Sequence, residues 1–375
     1  MKIGYEAKRI FKNFTGLGNY SRSIIQTLAE AFPQDSFYLY TPKVTSNKQL
    51  EFLKQLKNVF VRTPSSKTFK TLWRSFGVAK DAKKDGIKLF HGLSHEIPFG
   101  LKSKNIKSVV TIHDLIFLHY PQYFKYIDRQ IYRIKFRYAC KNADTIIAIS
   151  EQTKRDIIHY FGTEVQKIEV VYQGCDSIFY KLPQTEKNLQ VKQTYNLPNK
   201  FLLCVGTIEN RKNQLLIIKA LHHLPNDIKL VLVGKPTTYK KTLIEYISDN
   251  QLEQRVIFLE NIPFNNLPSI YHLAQIFVYP SFFEGFGIPI LEALNCGVPV
   301  IAATGSCLEE AGGKNSIYID PSNEVELANK INLILNDEAL NQKMVADGKQ
   351  FALNFRAEII AQNLMKVYKN TLSKC

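Results

Sequence analysis

Twelve short apolar runs punctuate the chain. They fall at 2–5, 36–41, 58–62, 108–112, 144–149 and 168–171, then at 201–205, 229–233, 256–259, 276–279, 299–302 and 317–319. Most are continuous rather than alternating, as expected of strands covered on both faces. Between the later runs the apolar positions recur at a spacing near 3.6, which predicts helices over 211–224, 237–250 and 323–335. Strands alternating with helices imply parallel sheets with helices packed on either side. A polar stretch at 181–200 interrupts the alternation, which then restarts. An amphipathic helix is expected over 356–372.

This pattern predicts an α/β protein of two Rossmann-like domains, 1–180 and 181–355, followed by a C-terminal segment, 356–375. A length of 375 residues suits two domains better than one. Ligands of such sheets sit beyond the carboxyl ends of the strands, so the cleft between the domains is the expected site. No run of about twenty apolar residues is present, and Met1-Lys2-Ile3-Gly4-Tyr5 reads as a first strand rather than a signal peptide. The six cysteines, at 140, 175, 204, 296, 307 and 375, form no Cys-x-x-Cys pair and are expected to be buried reduced thiols of a cytosolic protein.

Charge changes the picture more than composition does. Residues 1–170 hold 29 Lys and Arg against 14 Asp and Glu, whereas residues 171–375 hold 20 against 19. Nearly all of the net +16 therefore belongs to the first half. Such a field attracts polyanions or anionic membrane surfaces. The cations are densest over 120–141, where Lys125, Arg129, Arg133, Lys135, Arg137 and Lys141 mix with aromatic residues. Phe124, Ile127, Ile131, Ile134 and Tyr138 recur there at helical spacing and predict one apolar helix face. Two readings follow: a helix packed on its own domain, or a surface touching lipid head groups or a lipid-linked acceptor. No zinc-finger spacing or RNA-binding signature accompanies the cations, so nucleic acid is not an expected partner.

Four local motifs carry candidate chemistry. Thr15-Gly16-Leu17-Gly18-Asn19-Tyr20 follows the first strand and precedes a helix expected near Asn19. Gly16 and Gly18 would let backbone approach a phosphate or sugar, but a plain loop explains them equally well, and Ser21 breaks the dinucleotide fingerprint. His113-Asp114 ends the 108–112 strand, where a histidine can face a ligand or serve a structural role, and Asp114 reads as a turn residue. His91 and His95 lie in a segment read as a loop, because Gly92 and Pro98 interrupt it, and a helical metal pair is not expected. Arg211 and Lys212 stand together where a helix is expected to begin, suited to a phosphate between them or merely solvated. Finally, residues 281–300 read Ser-Phe-Phe-Glu-Gly-Phe-Gly-Ile-Pro-Ile-Leu-Glu-Ala-Leu-Asn-Cys-Gly-Val-Pro-Val. Glu284 opens a glycine-broken turn, Glu292 follows eight positions later, and Pro289 suits a first helical turn. A helix N-terminus at that place suits an anion, and two carboxylates beside it suit hydroxyls or developing positive charge.

The Glu-x7-Glu motif, Glu284 to Glu292, with the other motifs in this order, resembles the retaining glycosyltransferases of the GT-B fold, specifically the large family 4. The resemblance spans essentially the whole chain. It implies a first domain that binds acceptor, a second that binds a nucleotide-diphosphate sugar, and a last helix packing back on the first domain. It implies that Arg211 and Lys212 lie on the donor diphosphate, assisted by backbone of Gly285, Phe286, Gly287 and Ile288. Glu292 is then expected on the ribose hydroxyls, Glu284 and His113 on the donor sugar, and Gly16 and Gly18 against the diphosphate and acceptor. The base is expected near 260–263. No cofactor is implied, and no Asp-x-Asp pair occurs, so metal-independent chemistry is expected. Segments 111–123 and 206–213 look like mannosyl- and rhamnosyl-type members, which favours GDP-mannose as donor, with UDP- and dTDP-sugars as alternatives. The implied acceptor is a glycan or lipid-linked oligosaccharide on the way to a surface polysaccharide. The implied location is the cytoplasm, with peripheral contact of the basic first domain to anionic membrane. A sugar-nucleotide epimerase shares such a fold but needs further acid–base carboxylates; a dinucleotide oxidoreductase fits poorly because its fingerprint is broken.

Overall fold

The structure, a computed structural model, describes residues 1–65 and 72–374; Cys375 lies outside them. The chain divides into two compact units, Met1–Gln173 with Ala357–Cys375, and Gly174–Arg356. The divisions thus fall at 173/174 and 356/357, where the sequence suggested 180/181 and 355/356.

The first unit holds a seven-stranded parallel sheet. Its strands are β1 (Lys2–Glu6), β2 (Ser36–Tyr40), β3 (Val59–Arg62), β4 (Leu89–Gly92), β5 (Lys107–Ile112), β6 (Thr145–Ala148) and β7 (Ile168–Val170). They are ordered β3-β2-β1-β4-β5-β6-β7. The order reverses between β1 and β4, so the residues that follow those two strands diverge at a switch point. β4 corrects the expected loop around His91. It is short, and a histidine and a glycine occupy its last two positions, which hid a strand whose four residues are all buried.

The second unit holds a six-stranded parallel sheet. Its strands are β8 (Phe201–Val205), β9 (Lys229–Val233), β10 (Val256–Leu259), β11 (Ile276–Tyr279), β12 (Val300–Ala303) and β13 (Ile317–Ile319). The order is β10-β9-β8-β11-β12-β13, with the switch point between β8 and β11. Every residue of β8 and β11 is buried, as strands covered on both faces must be.

The C-terminal helix Ala357–Ser373 belongs to the first unit. Its Ile360, Leu364, Met365 and Tyr368 join the cluster of Ile3, Tyr5, Ile24, Ile25 and Leu28. Polar contacts fix its register. The Tyr368 hydroxyl lies 2.7 Å from Nδ1 of His91, and the Thr371 hydroxyl donates to Thr145 Oγ1 at 2.8 Å.

Two expectations about helices are corrected. The helix expected near Asn19 begins at Gly16 and runs to Ala31, so the glycine pair forms its first turn rather than a preceding loop. In the helix Tyr126–Asn142 the buried residues are Phe136, Ala139 and Cys140, whereas Ile127, Ile131 and Ile134 are exposed. Of the apolar stripe read from the sequence, the three isoleucines therefore face outward, whereas Phe124 and Tyr138 pack against the buried cluster of the first unit. Among the described residues, no helix is long and apolar enough to cross a membrane.

Candidate active site

The two strands that flank the second switch point deliver the charged residues. β8 ends at Val205, and Gly206, at φ +152°, turns the chain into the segment carrying Arg211 and Lys212. Both cations sit on a single 3₁₀ turn, Asn210–Lys212, not on the expected longer helix, which starts only at Gln214. Asn213 between them adopts the left-handed conformation, φ +56°, which asparagine tolerates better than most residues. Its side-chain amide donates to the carbonyls of Pro280 and Pro321 at 3.1 and 2.8 Å, tying this turn to the segment after β11. The Phe282 N–H donates to the Arg211 carbonyl at 3.0 Å and completes the stitch.

Glu284 is thereby carried between the two cations. Its Oε1 lies 2.6 Å from Lys212 Nζ and its Oε2 lies 2.8 Å from Arg211 Nη1. Arg211 also donates to the Phe283 carbonyl and to Glu209 Oε1, each at 2.6 Å. Lys212 Nζ donates to the Tyr279 hydroxyl at 2.5 Å and lies 4.9 Å from that ring's centroid. Burial alone would raise the Glu284 carboxyl, but the two cations outweigh it and hold it down at about 2. Burial alone would lower Arg211, but Glu284 and Glu209 outweigh it and raise its pKa. The anion that the adjacent cations require is thus supplied in part by Glu284 itself.

The glycine-broken turn leads straight into the helix Ile288–Asn295, with Pro289 in its first turn and Gly287, at φ +121°, just before it. A side chain at Gly287 would press on Leu308, at 3.0 Å from its Cδ2, so this position needs glycine twice over. Cys307 Sγ lies 3.1 Å from the Glu284 carbonyl and 3.3 Å from that of Phe286, bracing the turn from below. Gly285 and Ile288 flank Phe286 and Gly287 on the same turn and are half-buried. Glu292, one helical turn on, is buried and accepts from the Tyr271 hydroxyl at 2.7 Å. Burial raises its carboxyl to about 7; Tyr271 opposes the shift, and Asp176 reinforces it. One motif therefore holds one carboxylate far below and one well above the ordinary range, set by their neighbours. Near the expected base site, Glu260 follows β10 and pairs with Lys240 at 2.6 Å.

In the first unit, His113 follows β5 and is buried. Its Nε2 faces the Leu93 carbonyl at 2.9 Å, which can only accept, so this nitrogen carries the proton and Nδ1 accepts from the Gln173 amide at 2.7 Å. Burial pushes His113 down to about 4 and keeps the ring neutral. The Tyr20 ring packs edge-on at 4.6 Å, and that of His95 lies 5.1 Å away. Asp114 Oδ1 accepts from the Ile116 N–H at 3.1 Å, a turn contact. Gly16 and Gly18 differ. A Cβ at Gly18 would lie 1.7 Å from the Asn13 carbonyl oxygen, whereas at Gly16 it would meet nothing within 4 Å. Gly18 is demanded by the chain's own packing; Gly16 faces open space. Among the described residues, no group of three or more His, Cys, Asp or Glu could hold a metal ion, and the five described cysteines are free and buried.

The family described as Glycosyltransferase Family 4 matches residues 15–177, and that described as Glycosyl transferases group 1 matches residues 185–351, which contain the Arg211–Lys212–Glu284 cluster. The chain belongs to the family 4 glycosyltransferases. It is 27% identical to O-antigen chain mannosyltransferase B of Escherichia coli over 98% of this chain and 100% of the relative. It is 27% identical to the O-antigen chain mannosyltransferase RfbU of Salmonella typhimurium over 84% of this chain and 86% of that protein. Among solved structures, HepE of Anabaena, in complex with UDP, superposes with a TM-score of 0.75 at 21% identity, covering 99% of this chain and 100% of that one. Sucrose-phosphate synthase of Thermosynechococcus elongatus superposes with a TM-score of 0.76 at 21% identity, covering 99% and 98%. The glycosyltransferase thus has the α/β GT-B fold. Its sequence motifs missed Tyr279, Tyr271 and Gln173, which bond to Lys212, Glu292 and His113 from positions distant in sequence.

Proposed function

We propose that this glycosyltransferase moves a mannosyl group, with retention of anomeric configuration, from a nucleotide-diphosphate sugar to a glycan on a lipid carrier. The observation that carries the reading is the buried cluster of Arg211, Lys212 and Glu284 at the second unit's switch point. Two cations held within hydrogen-bonding distance of one carboxylate are preorganised to stabilise charge developing on a leaving diphosphate. Relatives named O-antigen mannosyltransferases support mannose as the sugar. GDP is the nucleotide we favour, with UDP and dTDP as the alternatives.

In this reading the bond between the anomeric carbon and the diphosphate oxygen breaks with its electron pair going to oxygen. Arg211 and Lys212 meet the resulting charge, with the backbone of Gly285, Phe286, Gly287 and Ile288 alongside. Glu284 contacts sugar hydroxyls and favours an oxocarbenium-like state, and His113, whose neutral ring presents no competing charge, lies against the donor sugar. Glu292 accepts from the ribose hydroxyls, and Gly16 leaves room for donor or acceptor. The acceptor hydroxyl forms the new bond on the face the leaving group vacates, and its proton passes to the departing phosphate. The two cations take the part a divalent ion would play, so the reaction runs without metal. The enzyme works in the cytoplasm, with its basic first unit against anionic membrane.

The test is nucleotide release from a panel of GDP-, UDP- and dTDP-sugars, with and without EDTA, alongside Glu284→Ala. Release from one donor, insensitive to EDTA and lost in the variant, is the expected result. Absence of both release and calorimetric binding across the panel overturns the donor-site reading.

A further inference from the structure

Charge is unevenly matched beyond the switch point of the first sheet. β1 and β4 run side by side with Glu6 opposite Gly92, so the segments that follow them, 7–9 and 93–96, leave from the same place. Glu6, Lys8, Arg9, Arg74, Glu96 and Lys135 gather there. Arg74 pairs with Glu6 at 3.4 Å and also with Glu96, and Lys135 reaches Glu96 at 3.0 Å. Among the described residues, the side chains of Lys8 and Arg9 form no ion pair, so four cations face two acids. Arg9 is half-buried. Burial above all keeps the rings of His95 and His113 neutral, and the nearby charge of Arg9 adds to this in both.

His95 supplies a second donor. It is buried, yet its backbone lies at φ +62°, a left-handed conformation that residues other than glycine seldom hold. The loop that carries it presses on its own strand: a Cβ at Gly92 would lie 1.9 Å from the Glu96 carbonyl oxygen. The His95 ring stacks on Phe136 at 4.3 Å and meets that of His113 at 5.1 Å. Its Nδ1 accepts from the His113 N–H at 3.4 Å, so the neutral ring carries its proton on Nε2. Among the described residues, that N–H has no acceptor. The His113 ring has no such donor to spare, because Leu93 and Gln173 engage both its nitrogens.

We propose that Arg9 and the Nε2–H of His95 bind one oxyanion, a phosphate or a carboxylate, carried by the acceptor. A half-buried arginine without a carboxylate, beside an imidazole N–H without an acceptor, is complementary to such a group in both charge and hydrogen bonding. The donor diphosphate is a poorer occupant, because Arg211 and Lys212 are already assembled for it in the second unit. The inference rests on the reading of a glycan acceptor, and it adds that this acceptor is anionic close to the hydroxyl that reacts. A phosphate would belong to the link with the lipid carrier, and a carboxylate to an acidic sugar.

The experiment follows the His95 Nε2 resonance in the full chain with nitrogen-labelled histidine rings. Excess GDP is present to occupy the cations of the second unit. His95→Asn, which tolerates the left-handed backbone, assigns the signal by its loss. Inorganic phosphate and glucuronate are titrated separately. One of them should move the signal saturably, phosphate pointing to the carrier link and glucuronate to an acidic sugar. Arg9→Gln should weaken that binding about tenfold or more, and Arg9→Lys should recover part of it. An unchanged melting temperature shows that both variants fold, and their GDP affinity should match the parent's. A signal that ignores both anions overturns the proposal, as does Arg9→Gln binding like the parent. A fall in GDP affinity with Arg9→Gln also overturns it, by assigning Arg9 to the donor. Anion binding with the expected Arg9 losses, but no transfer from any donor, supports the site and counts against the functional reading alone.

Discussion

Glu284 and Lys212, 72 residues apart in the chain, meet at 2.6 Å inside the second unit. A pair this buried stabilises little relative to apolar packing, yet removing one partner leaves an uncompensated charge. The arrangement therefore reads as a device that holds two cations in place for a negatively charged ligand. It is tested from both sides.

Glu284→Ala should lower stability by about 3–5 kcal/mol, toward the lower end because Arg211 retains Glu209. A nucleoside diphosphate would then restore an anion beside the orphaned cations. Its thermal upshift, read by calorimetry, should be larger in the variant than in the parent. Equal shifts would place the diphosphate elsewhere.

Glu292 makes a pH prediction of opposite sign to the usual carboxylate. Its pKa is raised from 4.5 to about 7 on folding, so the folded state binds an extra proton between those values. Stability from this group is present below about pH 4.5 and is lost as pH rises through 7, a few kcal/mol at most. Glu292→Gln should remove that slope in denaturant titrations run from pH 5 to pH 8. If the ionised carboxylate accepts from ribose, nucleotide affinity should rise with pH across the same window, and the variant should abolish the rise.

For His113 the slope reverses. Burial lowers its pKa from 6.5 to about 4, so its contribution is complete above pH 6.5 and is lost as pH falls through 4. Nitrogen NMR of the labelled ring should show a neutral imidazole with the proton on Nε2 at pH 6. The rate should show no step from this group between pH 6 and pH 8. A titration with midpoint near 6.5 would contradict the buried geometry.

The two glycines after β1 separate packing from ligand approach. Gly18→Ala must displace the Asn13 carbonyl, because the added Cβ would lie 1.7 Å from its oxygen, and should destabilise the first unit by about 1–3 kcal/mol. Gly16→Ala meets no atom within 4 Å and suits a helix start, so the fold should be unaffected or slightly firmer. A fall in transfer rate with Gly16→Ala at unchanged melting temperature would show that a ligand occupies that space; unchanged rates would remove Gly16 from the site.

His91 and Tyr368 bind the last helix to the first sheet. Tyr368→Phe removes the hydroxyl and leaves Nδ1 of a fully buried histidine without that partner, at a cost of about 1–3 kcal/mol. Hydrogen exchange over 357–373 should accelerate in the variant more than exchange in the second unit.

What the sequence determined by itself follows from local physics. Among the described residues, twelve of the thirteen strands were legible as short apolar runs alternating with helical patterns, because most parallel strands are covered on both faces and have little polar side to show. The Glu-x7-Glu turn and the Arg211-Lys212 pair were legible because glycine, proline and adjacent like charges each have few structural explanations. β4 was not legible, since His91 finds its partners in Tyr368 and Thr111, far along the chain. Periodicity found the stripe of Ile127, Ile131 and Ile134 but not the side it faces. That depends on Phe136, Ala139 and Cys140 filling the core instead. Only the tertiary structure decided that Glu284 lies between the two cations and that Glu292 lies against Tyr271. Their opposite pKa shifts come from neighbours that no local spacing encodes.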